Sequence, residues 1–262
     1  MKNIAVITGA SSGIGSEFCR QLSQKGYYIV MVARRKDRLL DLQKQLYGNS
    51  SIVIADLSKK KDVTKLCEYI KEEINSEPGN TLSIFINNAG FGLSGCFEDC
   101  SEKREMEMIN VNIKALHRLT KRILPLMDKE IGGYILNVGS SAGLFPAGPY
   151  MSTYYATKAY VVSLTKAIAH ELKIHGSKTY IGVLCPGPVD TQFNEVANVS
   201  FALKGISAHK CVSYALKMMK KRKVTIIPTL RMKIACSFSK ILPDSLLIPM
   251  VAHQQHKKMK KE

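Results

Sequence analysis

Tyr154 and Lys158 stand four residues apart, a spacing that puts both side chains on one face of a helix. A phenol with a pKa near ~10 exchanges protons poorly at neutral pH. An ammonium beside it stabilises the phenolate and makes the group useful for general acid–base work. Tyr155 cannot form the same pair, because Ala159 lies four residues after it. Ser140 and Ser141 end an apolar run upstream, and Ser141 precedes Tyr154 by thirteen residues. Asn110 and Asn112 add two polar candidates inside a long helical pattern. The chemistry these residues support is proton exchange with a substrate oxygen.

A second constellation lies at the start of the chain. The loop Thr8-Gly9-Ala10-Ser11-Ser12-Gly13-Ile14-Gly15 follows an apolar run and opens a helical stretch. Gly9 permits a tight turn, Gly13 lets backbone approach a pyrophosphate, and Gly15 allows close helix packing. Ser11, Ser12 and Ile14 complete the cradle, whose helix end offers N–H groups to an anion. At the end of the next apolar run an NAD site would place Asp or Glu for the ribose hydroxyls. Arg34 and Arg35 stand there instead, so a 2′-phosphate is attracted and NADP(H) is the expected cofactor. Asp37 reads as a cap on the following helix.

Positioning both constellations requires a sheet. Strand-like runs fall at 4–7, 28–33, 51–54, 82–86, 134–138, 180–184 and 224–227. Helical spacing of apolar residues fills 16–25, 36–47, 60–74, 103–127, 153–175 and 208–220. Continuous apolar strands alternating with helices predict an α/β single-domain Rossmann fold: a doubly wound parallel sheet of about seven strands with helices on both faces. Ligands then bind at the carboxyl ends of the strands. Residues 1–228 are read as that domain, with a substrate lid at about 192–222 and a C-terminal extension at 229–262. Pro243 and Pro249 are expected to limit the extension to short amphipathic helices.

Composition fits this picture. The 262 residues carry a net charge of +17, and Lys204 to Glu262 hold fourteen Lys/Arg against two acids. That basicity is read as a solvated face, without the aromatic platforms of a nucleic-acid site. The extension is expected to be mainly structural, with weak membrane contact. Seven scattered cysteines without a C-x-x-C pair suggest reduced thiols, no metal site is visible, and a cytoplasmic protein is expected.

With these motifs in order, the chain resembles the short-chain dehydrogenase/reductase family over roughly residues 3–191. The match joins the Thr8–Gly15 loop, Asn87-Asn88-Ala89-Gly90, Asn112 in V-N-I, the serine, Tyr154 with Lys158, and Pro186 to Thr191 in P-G-P-V-D-T. The resemblance implies hydride exchange between nicotinamide and a carbonyl/alcohol pair. Tyr154 would then be the acid/base, Lys158 would lower its pKa and bind the ribose, and Ser141 would bond the substrate oxygen. Asn112 would hold a proton-relaying water. Asp56 and Leu57 would contact adenine. Asn88, Ala89 and Gly90 would flank the cofactor near the sheet centre, and Pro186, Gly187, Val189 and Thr191 would lie around the nicotinamide. A looser likeness to hydroxysteroid dehydrogenases and long-chain 3-oxoacyl reductases suggests a bulky apolar substrate. Its expected walls are 91–93, 143–151 and an apolar lid containing Phe193, Val196, Val199, Phe201 and Leu203. The long helices 103–127 and 153–175 imply a homodimer or homotetramer. A cofactor-binding regulator without turnover is the alternative from another functional class.

Overall fold

In a computed structural model, which describes residues 1–128, 130–191 and 205–256, a seven-stranded parallel sheet forms the centre. Its strands are β1 (Asn3–Thr8), β2 (Tyr28–Ala33), β3 (Ser50–Ile54), β4 (Thr81–Asn87), β5 (Tyr134–Val138), β6 (Tyr180–Leu184) and β9 (Thr225–Ile226). A separate short pair joins β7 (Val189–Asp190) to β8 (Ile206–Ser207). The order across the sheet is β3-β2-β1-β4-β5-β6-β9, so the chain reverses direction of growth between β1 and β4. At such a reversal the connections diverge to opposite faces and leave a crevice at the strand ends.

The apolar runs explain why the sheet is covered twice. Side chains alternate along a strand, and in β1 both sets are buried. Ala5 and Ile7 pack with Phe18 of α1 (Gly13–Ser23) and with Val212 and Met219 of α7 (Ala208–Lys220). Ile4 and Val6 pack on the other face with Leu66 and Ile70 of α3 (Lys60–Asn75) and Leu119 of α5 (Leu116–Ile123). Phe85 of β4 is fully buried in this second layer. Between β2 and β3, α2 covers only Lys36–Gln43, four residues short of the expected end.

Two expectations are corrected. Residues 103–127 are not one α-helix: α4 (Glu102–Ile109) gives way to a π-helical segment, Asn110–Ala115, before α5. A π turn widens the helix to admit an extra residue, a device common at functional sites. Pro249 also does not stop a helix. Pro243 lies just ahead of α9 (Asp244–His256), and Pro249 sits inside it. A proline there forfeits one backbone bond and costs about 3 kcal/mol, a cost opposed by burial of Leu247 on the same helix. Helices α6 (Ser152–Ile174) and α8 (Leu230–Phe238) complete the description. The apolar lid residues at 192–204 and the lysines at 257–261 lie outside the described residues. No described helix is long and apolar enough to cross a membrane.

Candidate active site

The glycine loop is built at the reversal point. Gly9 and Gly13 have φ of 66° and 59°, a region that other residues enter at a cost. A Cβ on Gly15 would lie 2.2 Å from the Gly9 carbonyl oxygen, so α1 can meet the loop only without a side chain there. Asn88 fastens the loop from β4: its N–H donates to Thr8 Oγ1 at 2.9 Å and its Nδ2 to the Thr8 carbonyl at 2.9 Å. The Ala89 N–H reaches the same threonine hydroxyl at 3.0 Å. The cradle is therefore held by the protein's own bonds.

Beyond β2, Arg35 folds back over this loop and donates through Nη2 to Ser11 Oγ at 2.9 Å and Ser12 Oγ at 3.0 Å. Arg34 lines the same cavity beside Asp56 and Leu57. Burial opposes the charge on Asp56, but bonds from the Ser58 hydroxyl and N–H, with Arg34 and Lys59 nearby, hold its carboxyl below the usual range. This end of the cavity thus joins backbone amides, two guanidinium groups and one carboxylate.

At the other end, α6 carries Tyr154 and Lys158 on one buried face. Lys158 Nζ lies 5.8 Å from the Tyr154 ring centroid and donates to the Val138 carbonyl at 3.0 Å. Burial lowers the Lys158 pKa from 10.5 to about 8. Burial also pushes the Tyr154 pKa from 10.0 up to about 12, against a hydrogen bond with Ser140. The unfolded chain therefore holds the lysine proton across a pH range where the folded chain has released it. Stability from this group rises with pH between about 8 and 10.5, and above 10 the tyrosine works in the opposite sense. Lys158→Met should accordingly melt above wild type at pH 7, with an advantage that shrinks by pH 9.5. Thermal melts at the two pH values check this; a variant less stable at pH 7 would contradict it.

Of the two serines, both of which line the cavity, Ser140 and not the expected Ser141 is hydrogen-bonded to Tyr154. Ser140 has extended backbone at the end of β5; its hydroxyl accepts from the Ala142 N–H at 3.1 Å and hydrogen-bonds Tyr154. Ser141 opens a 3-10 turn, Ser141–Leu144, and its N–H donates to the Pro186 carbonyl at 2.8 Å.

Asn112 is fully buried in the π segment, one layer behind the cavity. Its Oδ1 accepts from the Phe91 N–H at 3.1 Å, and its Nδ2 donates to the Phe91 carbonyl at 2.9 Å and to Thr157 Oγ1 at 3.1 Å. These bonds lock the segment after β4 against α6, and Gly90 fits between Asn112 and Lys158 because it lacks a Cβ. The side-chain amide is thus occupied by positioning bonds rather than turned to the cavity.

One cavity of ≈ 690 Å³ joins the two ends. Pro186, Gly187, Val189 and Thr191 line it between cradle and tyrosine, and Ile14, Gly90 and Ser141 also face it. Gly15 and Asn112 stand behind it, as their packing roles require. Phe91, Phe145 and Met151 form apolar walls, as expected for 91–93 and 143–151. Sequence reasoning missed the remaining wall: α8 contributes Met232, Ala235 and Phe238, and α9 contributes Leu247, Met250 and Val251. Their three- and four-residue spacing was the available signal. It also missed Arg104, which lines the cavity over the Phe91 ring at 5.1 Å and pairs with Glu107 at 2.6 Å.

A glycine cradle at the reversal of a doubly wound sheet, with a buried tyrosine and lysine across the cavity, defines a dinucleotide-dependent oxidoreductase. Residues 3–200 match the short chain dehydrogenase family, and the chain belongs to it. An uncharacterized oxidoreductase of Staphylococcus epidermidis is 33% identical over 194 residues, 74% of this chain and 81% of that protein. A short-chain dehydrogenase from Sphingobium yanoikuyae, solved in complex with NADPH, has TM-score 0.78 at 30% identity, covering 91% of this chain and 92% of that one. A bulky-bulky ketone specific alcohol dehydrogenase from Comamonas testosteroni has TM-score 0.74 at 25% identity, covering 94% and 98%. A short chain dehydrogenase/reductase from Burkholderia phymatum, in complex with NAD, shares the fold with TM-score 0.80 at 23% identity, covering 90% and 92%.

Proposed function

We propose that this chain is an NADP(H)-dependent oxidoreductase acting on the carbonyl or secondary alcohol of a bulky apolar molecule, best matched by a hydroxysteroid or ketosteroid. The observation that carries the reading is the single cavity with a phosphate-type cradle at one end and Tyr154–Lys158 in an apolar pocket at the other. The residues fit a dinucleotide: Gly9 and Gly13 line the cavity without side chains, and Arg34 with Arg35 stands where a 2′-phosphate would add charge. Bound there, NADP(H) would supply or accept the hydride. Tyr154 gives its proton to the carbonyl oxygen during reduction and recovers it during oxidation. Ser140 hydrogen-bonds the same oxygen and fixes the carbonyl's direction, taking the role expected of Ser141. Lys158, charged below pH about 8, stabilises the phenolate. Apolar walls keep water from competing for the proton.

The test is NADPH consumption with ketones, steroids and acyl thioesters. No turnover across that panel would return the chain to a cofactor-binding regulator. Arg104 favours one second reading, a 3-oxoacyl thioester whose anionic carrier meets the guanidinium. Cofactor choice follows from the arginines: affinity for NADPH should exceed that for NADH at least tenfold, about 1.4 kcal/mol. Equal affinities in a titration of both would remove the argument. The neighbour holding NADPH supports this choice and the neighbour holding NAD does not. Homo-oligomerisation through helices α4 to α6 belongs to the same reading, with light scattering as its check.

The C-terminal helices turn Met232, Leu247 and Val251 toward the cavity, which supports a mainly structural role. Outside, Leu230 and Ile241 are exposed beside Arg231 and Lys240, and Leu246 is exposed as well. Membrane contact is expected to be weak, because each exposed lysine contributes at most ~1 kcal/mol under salt screening. The chain should stay in the supernatant when sedimented with anionic vesicles at physiological salt.

A further inference from the structure

The charge of the cavity is one-sided. Arg34, Arg35, Arg104, Lys158 and Arg231 all line it, and Asp56, at the cradle end, is the one carboxylate among the described lining residues. Four of these cations already have a task or a partner. Arg34 and Arg35 stand at the cradle, Lys158 serves Tyr154, and Arg104 pairs with Glu107 at 2.6 Å. The Arg231 guanidinium is exposed and has no ion pair or hydrogen bond among the described residues. It stands in the first turn of α8, where no acidic residue accompanies it. The helix dipole opposes a cation at that end, so Arg231 does not serve the helix. Lys233, two residues on, is engaged elsewhere: its Nζ donates to the Tyr214 hydroxyl of α7 at 2.7 Å.

We infer that Arg231 determines substrate specificity by binding a carboxylate on the substrate, remote from the reacting carbonyl. The guanidinium begins the stripe of α8 that continues along the cavity through Ala235 and Phe238. The helix is fixed at both ends: Met232 Cγ lies 2.6 Å from where a Cβ on Gly187 would sit, and Ser239 Oγ donates to the Leu144 carbonyl at 3.2 Å. It therefore runs from the Gly187 segment to the turn after Ser140, with charge at one end and the Phe238 ring at the other. Seven residues separate them, about 10 Å along a helix. One molecule with an anionic end and an apolar body matches that wall. A guanidinium takes a carboxylate through two parallel bonds, and the apolar walls strengthen the attraction by keeping the local dielectric low. This rests on the proposed function and narrows its substrate class from bulky apolar ketones to apolar keto acids. No chemical step passes through Arg231, so it acts on binding and orientation.

The experiment measures NADPH consumption by the full chain with methyl ketones of graded chain length that end in a carboxylate, each compared with its methyl ester. At the best length, wild type should favour the acid in kcat/KM by about tenfold or more, chiefly through KM. Arg231→Met should bring that ratio toward one by raising KM for the acid, and Arg231→Lys, which keeps the charge, should retain part of it. Arg231→Met should also melt at or above wild type, because the helix loses a cation its dipole opposes. No preference in wild type, or one that survives in Arg231→Met, would overturn the assignment. So would a preference lost in Arg104→Met instead, or NADPH affinity that falls with the preference in Arg231→Met, since the guanidinium would then serve the cofactor. If no ketone is turned over, the proposed function fails separately. Calorimetric titration of the chain with the same acids then reads the contact alone: binding that weakens in Arg231→Met supports it, and equal or absent binding refutes it.

Discussion

Replacing Tyr154 by phenylalanine should lower kcat by about 10²–10⁴-fold while leaving NADPH affinity nearly unchanged. The substitution removes one hydroxyl from a buried ring and keeps the ring's packing against Met151 and Tyr155. What disappears is the hydrogen exchanged with the substrate oxygen and the bond to Ser140. A phenol held up at about 12 by burial needs a cation to work, and the ammonium 5.8 Å from its ring centroid is placed to supply one. Removing the phenol therefore removes the function of both residues. Steady-state kinetics with a fluorescence titration of NADPH checks the split. A parallel loss of NADPH binding would mean that the hydroxyl also holds the cofactor, and the fall in kcat would no longer report the proton alone.

Gly15→Ala carries the second large expectation. Its new Cβ would sit 2.2 Å from the Gly9 carbonyl oxygen and 2.6 Å from Asn88 Nδ2. Two of the three nearest atoms belong to backbone, so no side-chain rotation relieves the clash. Either α1 retreats from β1, or the loop turns and breaks the Asn88 bonds that fasten it. Both outcomes move the amides of the cradle. NADPH should bind about a hundredfold more weakly, on the order of 2.7 kcal/mol, and the melting temperature should fall by several degrees. Titration and thermal melting measure the two effects, and affinity within threefold of wild type would show that the cradle is more plastic than its contacts imply.

Much of this architecture was legible because the sheet is buried on both faces. Strand 28–33 reads as an unbroken apolar run, 134–138 is interrupted only by Asn137, and helices such as 208–220 kept their spacing to the last residue. Local chemistry also located the cradle, since glycines with positive φ leave a mark in sequence. The features that escaped depend on distant partners. In the π segment Asn112 is held by Phe91, in the loop after β4, and by Thr157 of α6. Which of Ser140 and Ser141 bonds Tyr154 depends on a partner carried by a different element, α6. The wall formed by α8 and α9 was masked by Pro249, whose local cost is overruled by tertiary burial of the same helix.

That wall also separates two duties along the chain. α8 and α9 follow every strand of the sheet in chain order, while the glycine cradle and the Asn88 bonds that fasten it stand at the ends of β1 and β4. Substitutions that reshape the C-terminal wall therefore leave the cradle's own residues untouched, so one half of the cavity can change by mutation while the other keeps its form.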